Sequence, residues 1–153
     1  MKLRLVLIGI VGAAWSCTAT PLPVPPVEYE LDVEKLEVTD QPLVFEGNPG
    51  AVTPGDVEIR ITPGPPDGDP VVEDGTGTVA ADGSFTILVE SPLPNIFFFE
   101  AIEEDEDVFF GAVRVDAAGN VEEADPGPDG DDDGSPDAID CAPTDPERGG
   151  RRC

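Results

Sequence analysis

Apolar and polar positions divide this chain into stretches of different kinds. At the start, Lys2 and Arg4 precede an unbroken apolar run from Leu5 to Ala14, which gives way at Trp15-Ser16-Cys17. From Thr20 to Val27 the sequence is TPLPVPPV, whose prolines fix an extended path that enters neither a helix nor a central strand. Between about Leu31 and Ala124 the apolar runs are short and broken by glycine, proline and aspartate. None holds a helical period through three turns. This pattern predicts an all-β domain.

Within it, Val57, Ile59 and Ile61 alternate with Glu58 and Arg60, and Phe85, Ile87 and Val89 alternate in the same way. Alternation gives each strand one buried and one wet face. Asp82-Gly83 lies between Thr78-Val79-Ala80 and Ser84-Phe85-Thr86, and a glycine able to take positive φ predicts a hairpin there. Two aromatic-rich runs, Asn95 to Ile102 and Val108 to Asp116, read as central strands. Between them, Glu103-Glu104-Asp105-Glu106-Asp107 is predicted to be an exposed, solvated loop, because five adjacent carboxylates repel one another and resist burial. Seven or so short strands fit a two-sheet sandwich. The expected core is Phe45, Ile59, Ile61, Phe85, Ile87, Phe99, Val113 and Val115.

Three segments carry a resemblance. Val52-Thr53-Pro54-Gly55-Asp56-Val57-Glu58-Ile59, Ala80-Ala81-Asp82-Gly83-Ser84-Phe85-Thr86 and Val115-Asp116-Ala117-Ala118-Gly119-Asn120-Val121 are similar, in this order, to motifs of bacterial immunoglobulin-like domains. The resemblance implies an immunoglobulin-like β-sandwich. No cysteine pair lies in this region, so its core rests on apolar burial.

The opening run has the layout of a cleaved export signal and is too short to span a bilayer, which takes about 20 apolar residues. Its end resembles the lipobox of bacterial lipoproteins, with Ser16 before Cys17. That resemblance implies that Cys17 is diacylated, becomes the new N-terminus and ties the chain to a membrane. Two acyl chains hold a protein stably where one does not. Thr18 after the cysteine, in place of an aspartate, points towards the outer membrane. The same residues also fit an ordinary signal cut near Ala14 or Ser16, leaving Cys17 as a spare thiol; the proline tether that follows favours the anchor. The predicted organisation is a signal peptide at 1–16, a lipid-anchored Pro-rich linker at 17–30, a sandwich at 31–124 and an irregular Asp-rich tail at 125–153.

Charge narrows the choice of partners. The chain holds 33 acidic and 8 basic residues, for a formal net charge of −25. Nucleic acid is excluded as a natural partner because its phosphates would be repelled, whereas multivalent cations are invited. Of the three cysteines, acylation of Cys17 leaves Cys141 and Cys153 as an even pair. In an oxidising compartment they would form a disulfide; two unpaired thiols are the other reading.

The tail carries the chemistry. Counted from Asp129, positions 1, 3, 5, 9 and 12 are all aspartate, with glycine at 6. This is the ligand spacing of an EF-hand-type Ca²⁺ loop, in which alternate side chains point inward, glycine permits the sharp turn and position 7 offers its carbonyl. The candidate ligands are Asp129, Asp131, Asp133, Ser135 through its carbonyl, Asp137 and Asp140. Pro126, Pro128 and Pro136 disfavour flanking helices, and the last ligand is aspartate rather than glutamate. The stretch Asp129 to Pro143 is instead similar to the thrombospondin type 3 repeat, from which it departs at Ala142 and in being a single copy. A solvated acidic linker is the competing reading.

Catalysis finds little support. The chain has no histidine, the commonest general base, and neither Ser84 nor Ser91 has a base at a recognisable spacing. Two non-enzymatic readings follow: a tethered structural or adhesive module contacting other surface or matrix proteins, and a ligand-binding sandwich, for instance for glycans. With Trp15 in the signal and Tyr29 in the linker, the domain lacks the residues of a sugar-stacking platform, which favours the first.

Overall fold

The computed structural model describes residues 27–64, 74–104, 107–129 and 136. Ten strands and one 3₁₀ turn are found among them: β1 (Glu30–Leu31), the turn Val33–Lys35, β2 (Leu36–Thr39), β3 (Val44–Gly47), β4 (Val52–Thr53), β5 (Glu58–Pro63), β6 (Gly75–Thr78), β7 (Phe85–Leu88), β8 (Asn95–Ile102), β9 (Asp107–Val115) and β10 (Val121–Glu123). All pairings are antiparallel. One sheet runs β2-β3-β7 and the other β10-β9-β8-β5-β6, with β1 and β4 forming a short ribbon. The chain is an all-β sandwich.

Alternation decides which side chains meet between the sheets. Phe45 on β3 and Phe85 on β7 face Phe97 and Phe99 on β8. The Phe45 ring lies 4.9 Å from that of Phe97 and 5.8 Å from that of Phe99, and the Phe85 and Phe99 centroids are 6.4 Å apart. All three pairs are edge-on, the arrangement that aromatic quadrupoles favour. The eight residues expected in the core are all buried there, joined by Leu36, Leu43, Val52, Val79, Val89 and Phe97.

The two aromatic runs form β8 and β9 as the pattern predicts, paired from Asn95↔Val115 to Ile102↔Asp107 with a register shift between Phe99 and Glu100. That bulge turns Phe110 inward, 6.2 Å from the Phe99 ring, while Phe109 packs with Phe98 on the opposite face.

Two expectations need correction. The Asp82-Gly83 turn forms, with Gly83 at φ 85°, but it makes no hairpin ladder: β6 pairs with β5 and β7 with β3, so the turn carries the chain from one sheet to the other. Its backbone is fastened to the start of β4 and the residues just before it, where Gly50 N–H donates to Asp82 O at 2.6 Å and Val52 N–H to Gly83 O at 3.2 Å. Those bonds favour a corner over a hairpin. The second correction concerns the acidic run. Its last member, Asp107, is buried as the first residue of β9, because Arg60 is there to meet it.

Candidate functional site

Asp129 is half-buried. The other residues of the predicted Ca²⁺ loop, Asp131, Asp133, Ser135, Asp137 and Asp140, lie outside the described residues, as do Cys17, Cys141 and Cys153 and the segments 1–16 and 17–26. Among the described residues no three His, Cys, Asp or Glu side chains are gathered as a metal site, and no helix is long and apolar enough to cross a membrane.

What the fold does assemble is a polar cluster on the outer face of the five-stranded sheet. Arg60, Thr62, Glu100 and Asp107 alternate outward from β5, β8 and β9, and register places Arg60 beside Glu100 and Thr62 beside Phe98. Arg60 Nη1 lies 2.6 Å from Asp107 Oδ2 and 4.0 Å from Glu100 Oε2. The Thr62 hydroxyl donates to Glu100 Oε2 at 3.4 Å. Desolvation pulls the Arg60 pKa down, but the Asp107 hydrogen bond and the charges of Asp107, Glu100 and Asp74 outweigh it and hold the guanidinium above its ordinary value. An arginine so held is a fixed positive charge and does no acid–base work. Sequence reasoning missed this cluster. Its signals were present: Glu100 interrupts the apolar run NIFFFEAI, and Arg60 occupies an outward position of β5.

A second feature is the docking of the N-terminal segment. Glu30 and Leu31 pair with Thr53 and Val52. The Tyr29 ring sits 5.7 Å from that of Phe110, and its hydroxyl donates to Glu103 Oε1 at 2.8 Å. Loss of solvent, then the Glu103 hydrogen bond and charge, push the phenol up to about 12. Tyr29 therefore belongs to the folded surface, where it separates two open depressions of about 730 and 710 Å³. The first is bordered by Asp32, Glu34 and Lys35, and the second by Glu58, Glu103 and Glu104.

The remaining acidic motifs serve the backbone. Asp82 accepts from Ser84 Oγ at 2.7 Å and Ser84 N–H at 3.0 Å, which holds its carboxyl below the usual range. Asp116 accepts from Asn120 Nδ2, Asn120 N–H and Ala118 N–H at 2.7, 2.9 and 2.8 Å, with the same effect. With Gly119 at φ 84°, this turn closes a true hairpin between β9 and β10.

Compared with protein-family models, curated proteins and solved structures, the chain matches none.

Proposed function

We propose that this chain is a non-enzymatic, lipid-anchored protein of the cell envelope, most consistent with the outer membrane, whose immunoglobulin-like sandwich acts as a structural or adhesive module and whose tail binds Ca²⁺. The order of segments carries this reading: an apolar run ending at Cys17, a proline spacer, a sandwich, and the D-x-D-x-D-G spacing from Asp129. The spacer gives the sandwich reach from a membrane, and the export route leads to a compartment where Ca²⁺ is abundant and disulfides form.

The surface supports the preference for cations. Lys35, Arg60 and Arg114 are the basic residues of the described part, and each is committed to an ion pair, with Asp32, Asp107 and Glu122 respectively. The domain therefore offers a partner mainly carboxylates, which suits divalent ions or a basic protein surface. The glycan-binding alternative loses its one aromatic candidate, because Tyr29 is engaged by Phe110 and Glu103.

Two measurements test the proposal. Mass spectrometry of the membrane fraction should find Cys17 diacylated at a new N-terminus; an unmodified Cys17 removes the anchor. Calorimetric titration with Ca²⁺ should show one site that Asp133→Ala abolishes, and equal binding by both proteins would sink the loop.

A further inference from the structure

Three neighbouring strand ends meet at one end of the sandwich. There β5 begins at Glu58, β8 ends at Ile102 and β9 begins at Asp107, with Ile102 paired to both Glu58 and Asp107. The loop 54–57 enters β5 at this end, and between it and Tyr29 lies the open depression of about 710 Å³. Both walls are held. A Cβ on Gly55 would collide with the Ala80 carbonyl oxygen, so the loop is pressed against the chain just before the Asp82-Gly83 corner, and Tyr29 is fixed by Phe110 and Glu103. The lining has two parts. Val27, Pro54, Val57, Ile102 and Val108 supply apolar surface, and Val27, 48% exposed, is one of two large apolar side chains that the described residues leave in water. Asp56, Glu58, Glu103 and Glu104 supply carboxylates, and none of Lys35, Arg60 and Arg114 lines the depression.

We propose that this depression is the docking surface for a basic segment of a partner protein, in which an arginine or lysine stands beside an apolar residue. The two parts of the lining select that occupant together. Apolar surface favours a group that leaves water on contact, at about 25 cal/mol per Å², and a bare metal ion gains nothing from it. Among the described residues, moreover, no three carboxylates are gathered as a metal site. The carboxylates in turn disfavour an anionic occupant. Arginine and lysine satisfy both parts, because the aliphatic stem lies along apolar surface while the charged head reaches the rim. Arginine fits better, since its planar fork meets carboxylates through paired hydrogen bonds. A second copy of this chain is the wrong partner: with 33 acidic residues against 8 basic, two copies repel. Walls already held in place need little ordering when the segment docks.

Val27 and Tyr29 follow directly on the proline spacer, so a docked partner touches the root of the tether. The inference rests on the adhesive reading and gives it a contact surface. Its test uses unlipidated, Ca²⁺-free protein, so a negative result strikes the surface and leaves the anchor and the Ca²⁺ loop to their own measurements.

The chain from residue 17 to residue 153 carrying Cys17→Ser is titrated in EDTA with a blocked peptide of alternating arginine and valine. Tyr29 is its single tyrosine and Trp15 is absent from it, so tyrosine emission reports from the wall of the depression. Saturable binding is expected, with amide shifts at Tyr29, Glu58, Ile102 and Val108 and none at Glu37, Glu46 and Leu88 on the opposite sheet. A peptide of alternating arginine and serine should bind roughly tenfold more weakly, as the loss of a buried apolar side chain implies. Glu58→Lys should weaken the arginine–valine peptide, whereas Glu46→Lys, the same change of charge on the far sheet, should not; amide spectra of both variants report that the sandwich is folded. Absence of binding, equal binding of the two peptides, equal weakening by the two variants, or shifts spread over both sheets overturns the proposal. Displacement of the peptide by Ca²⁺ with shifts at the same four residues also overturns it, because the depression is then a metal site.

Discussion

At the scale of single residues, the sandwich commits its few cations with little to spare. Asp107 enters the sheet because Arg60 stands across from it, and its side chain is 2% exposed against 20% for Arg60. Removing one member of such a pair leaves the other desolvated, which typically costs 3–5 kcal/mol when both are buried. Part of the guanidinium reaches water and Glu100 remains nearby, so Asp107→Ala is expected to cost about 2–4 kcal/mol. Urea unfolding should show this as a lower midpoint at unchanged slope. Tyr29 gives a second reading at this scale, for it is the single tyrosine of the chain and reports without background. Its native pKa, about 12, lies above the ordinary value of 10.0, so folding favours the neutral phenol. That contribution is complete below about pH 10 and is lost as pH rises through about 12. Tyrosinate absorbance should therefore titrate above pH 10 in the folded protein. Glu103→Gln should move the transition back towards 10, stopping short of it, because the desolvation remains.

At the scale of elements, two glycine turns with the same local chemistry do different jobs. Asp116 to Asn120 joins neighbouring strands of one sheet, whereas Asp82-Gly83 joins strands of opposite sheets. Local sequence cannot separate them, since each needs a side-chain acceptor and a residue at positive φ. The difference lies with remote partners, the Gly50 and Val52 amides that hold the second turn to the start of β4. Gly83→Ala should reveal this. A left-handed residue costs roughly 1–2 kcal/mol on φ alone, and the added Cβ would also meet the Val52 carbonyl oxygen. The expected outcome is a loss larger than that of an ordinary turn substitution, read as a fall in thermal midpoint. The same contrast explains what was legible in the sequence. Strand positions and the eight core residues follow from alternation, because period two is a local property. Sheet membership and the burial of Asp107 follow from contacts distant in the chain. The charge run at 103–107 therefore read as wholly solvated, although Arg60 captures its last member, and Tyr29 read as linker although Glu103 binds it.

At the scale of the whole molecule, the decisive quantity is charge. A formal −25 on 153 residues sets carboxylate against carboxylate over most of the surface, and the folded state concentrates that repulsion relative to an expanded chain. The Arg60–Asp107 pair is short and sheltered, so added salt weakens it little, and the exposed Lys35–Asp32 pair contributes little for salt to remove. The long-range repulsion acts through solvent over distances comparable to the Debye length, ~8 Å at physiological ionic strength, and is screened readily. Sodium chloride should accordingly stabilise this protein at neutral pH, with the thermal midpoint rising steeply between low and physiological ionic strength and then levelling. A protein held chiefly by exposed salt bridges would show the reverse, so a falling midpoint would refute the account. Calcium at matched ionic strength should raise the midpoint further than sodium if the tail holds a site. Asp133→Ala should remove that excess and leave the sodium effect intact, because screening depends on the field of the whole surface and coordination on a single loop.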